Sequence, residues 1–92
     1  MNFDPTTGTL YHTPMHSPSP AELEEWARAR TQSANGVPVQ KVVISFLLGR
    51  AQAEPHLLTC AKLGLECRTF VGGVETVLVE GAPRGTLVLP VG

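Results

Sequence analysis

The sequence predicts an α+β fold in which two helices pack on an antiparallel sheet of about four strands. Three patterns predict it: a helical segment with a strong N-terminal cap, a second helical segment that ends in glycine, and two strand-like segments joined by Gly72-Gly73. A return strand over residues 86–91 would extend this hairpin to a C-terminal β-meander. The 92 residues suffice for one modest hydrophobic core.

The N-terminal segment is rich in proline. Residues 5–21 contain four prolines and no Asp, Glu, Lys or Arg. Irregularly spaced prolines disfavour both helices and inner strands. We therefore expect an extended or loosely ordered arm over residues 1–18, in which residues 8–13 suit a short additional strand. A single α+β domain then follows over residues 19–92.

The first helix is the clearest element and is predicted over residues 20–33. Ser19 and Glu22 form the Ser-x-x-Glu pattern of a capping box, in which each side chain accepts a hydrogen bond from the other residue's backbone N–H. Glu24 and Arg28 are four residues apart with the acid first. That order favours an ion pair along the helix and complements the helix dipole.

The segment Val39–Leu48 is ambiguous between strand and helix, because its apolar residues fit both periods. The consecutive β-branched residues Val42, Val43 and Ile44 favour a strand, which we therefore predict. If the segment were helical, the chain would consist of three helices followed by a hairpin. That order is typical of a winged helix, which is the alternative fold.

The second helix is predicted over Pro55–Leu63. Proline suits a first helical turn, and Lys62 complements the dipole near the other end. Gly64 follows as a residue that readily adopts the left-handed conformation of a helix C-cap.

Two strands are predicted on either side of the Gly72-Gly73 turn, over residues 65–71 and 74–80. A two-residue glycine loop suits the tight turns that join antiparallel strands. The resulting register pairs Cys67 with Leu78 and leaves apolar residues on both faces of the second strand. One face can take the helices, so the other needs a further layer or a second subunit.

Charge and length exclude some classes of function. Seven Lys and Arg against eight Asp and Glu give a net charge of −1, which is unsuited to a dedicated nucleic-acid binder. The N-terminus lacks the basic and apolar regions of a secretory signal, and the apolar stretch Val42–Gly49 is too short to span a bilayer. Two cysteines exclude a disulfide scaffold. We expect a cytoplasmic protein with reduced thiols and no membrane contact.

A zinc site is one alternative function. His56 and Cys60 are one turn apart on the predicted helix, and Cys67 follows in the next strand, so that zinc ligands of the right kind lie near one another. His12 and His16 of the arm would complete the set. The chain has no CxxC or HExxH spacing, and a small buried cysteine beside exposed histidines is the simpler interpretation. We predict no cofactor.

DNA binding ranks before zinc as an alternative function, and it depends on the winged-helix fold. Pro55–Leu63 would be the recognition helix, and the two-glycine turn would be the tip of the wing. Phosphate contacts need several cations, and this chain has few, so we expect nucleic acid not to be a partner. The plausible contacts are Arg50, Lys62, Arg68 and Arg84.

The sequence predicts no enzyme, because no nucleophile, base and orienting group are spaced as a catalytic set. We expect a small protein that binds a protein partner or forms a homodimer. Regulators, inhibitors and accessory subunits of this size are sometimes encoded by phages or mobile elements. Exposed arginine and aromatic side chains dominate binding hot spots. The candidate interface residues are Tyr11, Arg68, Phe70 and Val77.

Overall fold

The structure is a computed structural model that describes residues 2–14, 18–30, 33–34 and 37–82 of the chain. Two short strands occupy its N-terminal segment. Strands β1 (Asn2–Asp4) and β2 (Thr9–His12) form an antiparallel hairpin. Gly8 closes it with a φ of 70°, and its N–H donates to the Asp4 carbonyl oxygen over 2.8 Å. The segment that we expected to be extended or loosely ordered thus supplies two strands, and a domain boundary at residue 18 stays a prediction.

Helix α1 (Pro20–Arg30) begins where its cap predicts and ends before the predicted residue 33. The Glu22 N–H donates to Ser19 Oγ over 3.2 Å, and the Ser19 N–H donates to Glu22 Oε1 over 3.1 Å. Arg28 Nη2 lies 2.9 Å from Glu24 Oε1. The capping box and the ion pair along the helix are therefore confirmed.

Strand β5 (Lys41–Phe46) shows that the ambiguous segment is a strand. It follows a separate two-stranded sheet of β3 (Ser33–Ala34) and β4 (Val37–Pro38). Its β-branched run is almost fully buried, which is typical of a strand in the middle of a sheet. The winged-helix alternative is wrong, because these residues form the central strand and not a helix.

The second helical stretch is longer than predicted and tightens in its middle. It consists of α2 (Arg50–Ala53), a 3₁₀ turn (Glu54–His56) and α3 (Leu57–Leu63). The tightening coincides with Pro55, which has no backbone N–H to continue the regular hydrogen bonding. Gly64 ends α3 in the left-handed conformation, as predicted, with a φ of 72°. No helix in the described ranges is long and apolar enough to cross a membrane.

The predicted hairpin is present as β6 (Glu66–Val71) and β7 (Val74–Val79). The pairs nearest the turn have the predicted register. A β-bulge then adds one residue to β7, so that Cys67 pairs with Val79 and not with Leu78. The predicted return strand over residues 86–91 lies outside the described residues, so the β-meander stays a prediction.

The main sheet is mixed and has five strands in the order β1-β2-β5-β6-β7. Strand β5 pairs in parallel with both β2 and β6, while the two outer pairs are antiparallel. The predicted antiparallel sheet of about four strands is therefore only partly correct. A helix joins β2 to β5 and another joins β5 to β6, and such crossovers bring the chain back in the same direction.

The helices of both crossovers lie on the same face of this sheet and form one layer. The two crossovers advance across the sheet in the same direction, so right-handed connections place both helices on the same side. In agreement, α1 contacts α3 directly. The core between sheet and helices consists of Leu10, Leu23, Ala27, Val39, Val42, Ile44, Phe46, Ala53, Cys60, Leu63, Leu65 and Cys67.

Candidate functional site

The other face of the main sheet has no helix on it within the described part of the chain, and we call it the open face. Side chains alternate between the two faces along each strand, and residues paired between neighbouring strands share a face. The strand register therefore assigns the following residues to the open face: Asn2 and Asp4 on β1; Thr9 and Tyr11 on β2; Lys41, Val43 and Ser45 on β5; Glu66, Arg68 and Phe70 on β6; Glu75 and Val77 on β7. Thr9, Val43 and Glu66 are buried, so the middle of this face is covered and its accessible side chains lie around these three residues.

The open face brings together all four candidate interface residues. Tyr11 and Phe70 are each 39% exposed and Val77 is 45% exposed, while the Arg68 side chain is 26% exposed. They come from three different strands, so the fold and not local sequence places them together. Neighbouring side chains cover part of each residue. The rings of Tyr11 and Phe70 and the methyl groups of Val77 stay accessible on a surface that is not a deep pocket.

A chain of ion pairs crosses the open face between these residues. Lys41 Nζ lies 2.8 Å from Glu66 Oε1, and Arg68 Nη1 lies 3.1 Å from Glu75 Oε1. Arg68 Nε donates to the second carboxylate oxygen of Glu66, which joins the two pairs. The charges therefore alternate in sign from Lys41 to Glu75 and sum to zero.

Glu66 is the most buried member of this chain, with a side chain 6% exposed. Burial alone raises the pKa of Glu66, but hydrogen bonds from Lys41 and Arg68 outweigh it and hold the pKa below its usual value. The backbone at Gly81 lies against the same group. A Cβ at Gly81 would lie 2.9 Å from Glu66 Cβ and 3.2 Å from Lys41 Cε, so a larger residue would displace the pair.

The candidate zinc ligands do not form a metal site. His56, Cys60 and Cys67 are all buried in the core. Of the histidines that would complete the set, His12 lies in β2 and stacks on the tryptophan ring of α1 at 4.2 Å, and His16 lies outside the described residues. Within residues 2–14, 18–30, 33–34 and 37–82, no three His, Cys, Asp or Glu side chains are grouped to hold a metal ion.

His56 and Cys60 have the chemistry of core residues. The hydrogen bond with Cys67, together with burial, raises the pKa of the Cys60 thiol, so that little nucleophilic thiolate forms near neutral pH. Burial lowers the pKa of His56, whose ring stacks on Phe46 with centroids 4.9 Å apart. His56 Nδ1 has no hydrogen-bond partner among the described residues. These groups suit packing better than catalysis.

The three candidate DNA contacts that the structure describes do not form a cationic surface. Arg50 pairs with the glutamate four residues further along its own helix, at 3.2 Å. Lys62 pairs with Glu24 at 3.1 Å, and Arg68 lies on the open face between two carboxylates. Arg84 lies outside the described residues. Without the winged-helix fold, this set loses the recognition helix on which it depended.

Comparison with known proteins finds no relative. No family model matches the chain, and neither a curated protein nor a solved structure matches it. The functional argument therefore rests on the geometry of the open face.

The sequence reasoning missed Lys41, Glu66 and Glu75 as members of this site. The sequence predicts apolar residues on both faces of the second hairpin strand, and none of these three charges stands out from its pattern alone. A signal was present only in combination, because Glu66, Arg68 and Phe70 alternate along β6 with residues of the core face. Placing Lys41 beside Glu66 also requires the parallel pairing of β5 with β6, which the expected antiparallel sheet did not contain.

Proposed function

We propose that this protein acts without catalysis, by binding another protein through the open face. The observation that carries the proposal is the convergence of Tyr11, Arg68, Phe70 and Val77 from three strands on a face without a helical layer. Aromatic and arginine side chains supply most hot spots of protein interfaces. The expected role as a regulator, inhibitor or accessory subunit, and the expected cytoplasmic compartment, belong to the same proposal.

The ion pairs make the open face suitable for burial in an interface. Covering an unpaired charge costs free energy because the charge loses its hydration. Lys41, Glu66, Arg68 and Glu75 already neutralise one another within the chain. A partner can therefore cover them while contacting the aromatic rings on either side.

The described cavities and titratable groups favour binding over catalysis. A groove of about 300 Å³ on α1 is lined by Glu22, Glu25, Trp26 and Ala29. Glu22 already accepts the capping hydrogen bond of the helix, and the groove has no nucleophile in its lining. An enzyme needs titratable groups that converge on a reacting atom, which this lining does not provide.

Photocrosslinking tests the proposed surface. A photoreactive phenylalanine analogue replaces Phe70 in one variant and Leu58 in a second, and both are irradiated in cells that produce the protein. Leu58 is a matched control, because it lies on α3 and is 82% exposed. We expect adducts of defined mass from position 70 and none from position 58.

A second change on the same face makes the result specific. The substitution Val77→Asp adds a charge beside position 70 without touching α3, and we expect it to abolish the adducts. Equal adducts from positions 58 and 70, or none from position 70, would contradict the proposal.

A further inference from the structure

The ion pairs of the open face form a diagonal of alternating charge. The register places Lys41 two residues before the β5 residue that pairs with Glu66, and it pairs Glu75 with the residue two beyond Arg68. Strand residues rise about 3.3 Å each and neighbouring strands lie about 4.8 Å apart. With these spacings, Lys41 and Glu75 lie on opposite sides of the midpoint between Glu66 and Arg68, and each backbone position is about 11 Å from that midpoint.

This diagonal is complementary to itself. A second copy can lie face to face on the first through a two-fold axis in the interface plane. If the axis is perpendicular to the diagonal, Lys41 lies opposite Glu75 of the second copy, and Arg68 lies opposite the charge of Glu66. If the axis runs along the diagonal, every charge lies opposite an identical one. Electrostatics therefore favour the first arrangement and oppose the second.

The same axis also brings the exposed rings together. On the sheet lattice, the perpendicular two-fold moves Tyr11 to within about 4 Å of the position of Phe70 in the second copy. The contact occurs twice, because each copy supplies one tyrosine and one phenylalanine. Aromatic pairs in stacked or edge-to-face geometry add favourable free energy beyond their buried area. Charges and rings thus independently indicate one orientation.

The size of the open face predicts how strong such a contact is. Five strands of three to six residues present a face of about 400 Å² per copy, about half of the roughly 800 Å² per partner of a standard stable interface. A dimer of this size is weak and depends on concentration. The zero net charge of the diagonal also disfavours a strongly acidic or basic partner, and a second copy matches it in both size and charge.

We infer that the partner of the open face is a second copy of this chain, docked face to face about a two-fold axis perpendicular to the Lys41–Glu75 diagonal. The inference rests on the proposed function and names its partner. The resulting dimer has an isologous interface, in which both copies use the same residues. The side chains of Lys41, Arg68 and Glu75 contact the second copy. Glu66 is buried beneath them and acts on the second copy through its charge alone.

Charge exchange tests the orientation. Sedimentation equilibrium from about 1 µM to about 1 mM measures the dimer Kd. Lys41→Glu and Glu75→Lys each place like charges opposite one another, so each single change should raise Kd at least about tenfold. The double variant restores opposite charges across the interface while breaking both ion pairs within each copy. We expect it to return Kd to within about threefold of the original value.

Two controls keep this result interpretable. Arg50→Glu with Glu54→Arg exchanges the exposed ion pair of the helical layer and should leave Kd unchanged. Circular dichroism and thermal unfolding report whether each variant is folded. Because the double variant could lose its fold, a second measurement uses no charge change. A photoreactive residue at position 70, in a mixture of isotopically light and heavy chains, should crosslink to the Tyr11 strand of the other copy.

Each outcome separates the inference from the proposed function. A chain that stays monomeric at every concentration overturns the inference, and so does a double variant that dimerises no better than the single variants. Crosslinks from position 70 to position 70 of the other copy overturn the orientation. A monomeric chain that crosslinks through position 70 to a different protein removes the inference but supports the function. Absence of any adduct contradicts both.

Discussion

Phe46 and Phe70 lie on neighbouring strands of one sheet but on opposite faces. Phe46 is fully buried beneath the helices, whereas Phe70 is 39% exposed on the open face. Along β6, Cys67 and Thr69 point into the core, while Arg68 and Phe70, which alternate with them, lie on the open face. The helix-covered face therefore supplies stability, and the open face offers a surface that the fold itself leaves accessible.

The two faces also satisfy their polar groups differently. On the covered face, the buried Thr69 hydroxyl donates to the Phe46 carbonyl oxygen over 2.8 Å, which removes the cost of an unpaired polar group. On the open face, long charged side chains pair with one another across strands. On the covered face a single hydrogen bond between β6 and β5 satisfies the Thr69 hydroxyl, whereas the charges of the open face form a network whose members come from β5, β6 and β7.

The largest expected contrast comes from truncating the two phenylalanines. Phe46→Ala removes a fully buried ring and should lower the free energy of unfolding by about 3–5 kcal/mol. Phe70→Ala removes a half-exposed ring and should lower it by less than about 1 kcal/mol. Urea unfolding of both variants measures the difference. Equal losses would show that the open face is as much a part of the core as the covered face.

Removal of the buried charge on the open face should have the next largest effect. Glu66→Gln keeps the size of the side chain but leaves Lys41 and Arg68 without their carboxylate. We expect a loss of about 1.5–3 kcal/mol in the free energy of unfolding near neutral pH. Because the pKa of Glu66 is lowered in the folded state, its contribution is complete above 4.5, the ordinary pKa of a glutamate side chain, and is lost as the pH falls through the lowered pKa of the folded chain. A difference in the free energy of unfolding between Glu66→Gln and the parent that is the same at every pH would contradict this account.

Crowding at the rim of the open face should have a similar or smaller effect. Gly81→Ala pushes a methyl group against Glu66 and Lys41 and should cost about 1–3 kcal/mol while disturbing their ion pair. Gly72→Ala is the matched control, because its φ of 60° opposes a side chain although nothing lies within 4 Å of the new Cβ. We expect the NMR signals of Lys41 to change, relative to the parent protein, in the Gly81 variant and not in the Gly72 variant. Unchanged Lys41 signals in that variant would argue against contact.

The smallest effect is expected from the histidine of the covered face. Burial lowers the pKa of His56, so the unfolded chain takes up a proton more readily than the folded chain. The stability that neutral His56 contributes is therefore complete above pH 6.5 and decreases as the pH falls below it. The slope is at most about 1.4 kcal/mol per pH unit. His56→Gln should flatten the decrease between about pH 6.5 and 5, measured by urea unfolding at each pH.

Local features of the sequence predicted local structure well. The Ser19–Glu22 capping box, the glycine that ends α3 and the two-glycine turn each depend on residues close in the chain, and each is present in the structure. Arg68, Phe70 and Val77 lie on one face of the hairpin, as expected, whereas Tyr11 was expected only on the arm; nothing yet tests the role of the four residues. The placement of the first three on β6 and β7 followed from alternation and the turn alone.

Long-range pairing could not be predicted in the same way. Residues 8–13 suit a strand and contain β2, but nothing in the sequence indicates that this strand pairs in parallel with β5, so the helix between them could not be recognised as a crossover. The parallel pairing of β5 with β6 places Lys41 beside Glu66, which are far apart in sequence. The bulge in β7 lies at the far end of the hairpin from the turn, so the residues of the turn did not predict it.

One measurement tests most directly whether two copies of the chain meet through the open face and not through the helical layer. Methyl NMR spectra recorded over a dilution series follow Val77 on the open face and Leu58 on α3, which are 45% and 82% exposed. Our account predicts that the Val77 methyl signals shift with concentration while those of Leu58 stay constant. Constant Val77 signals, or concentration-dependent shifts at Leu58, would contradict it.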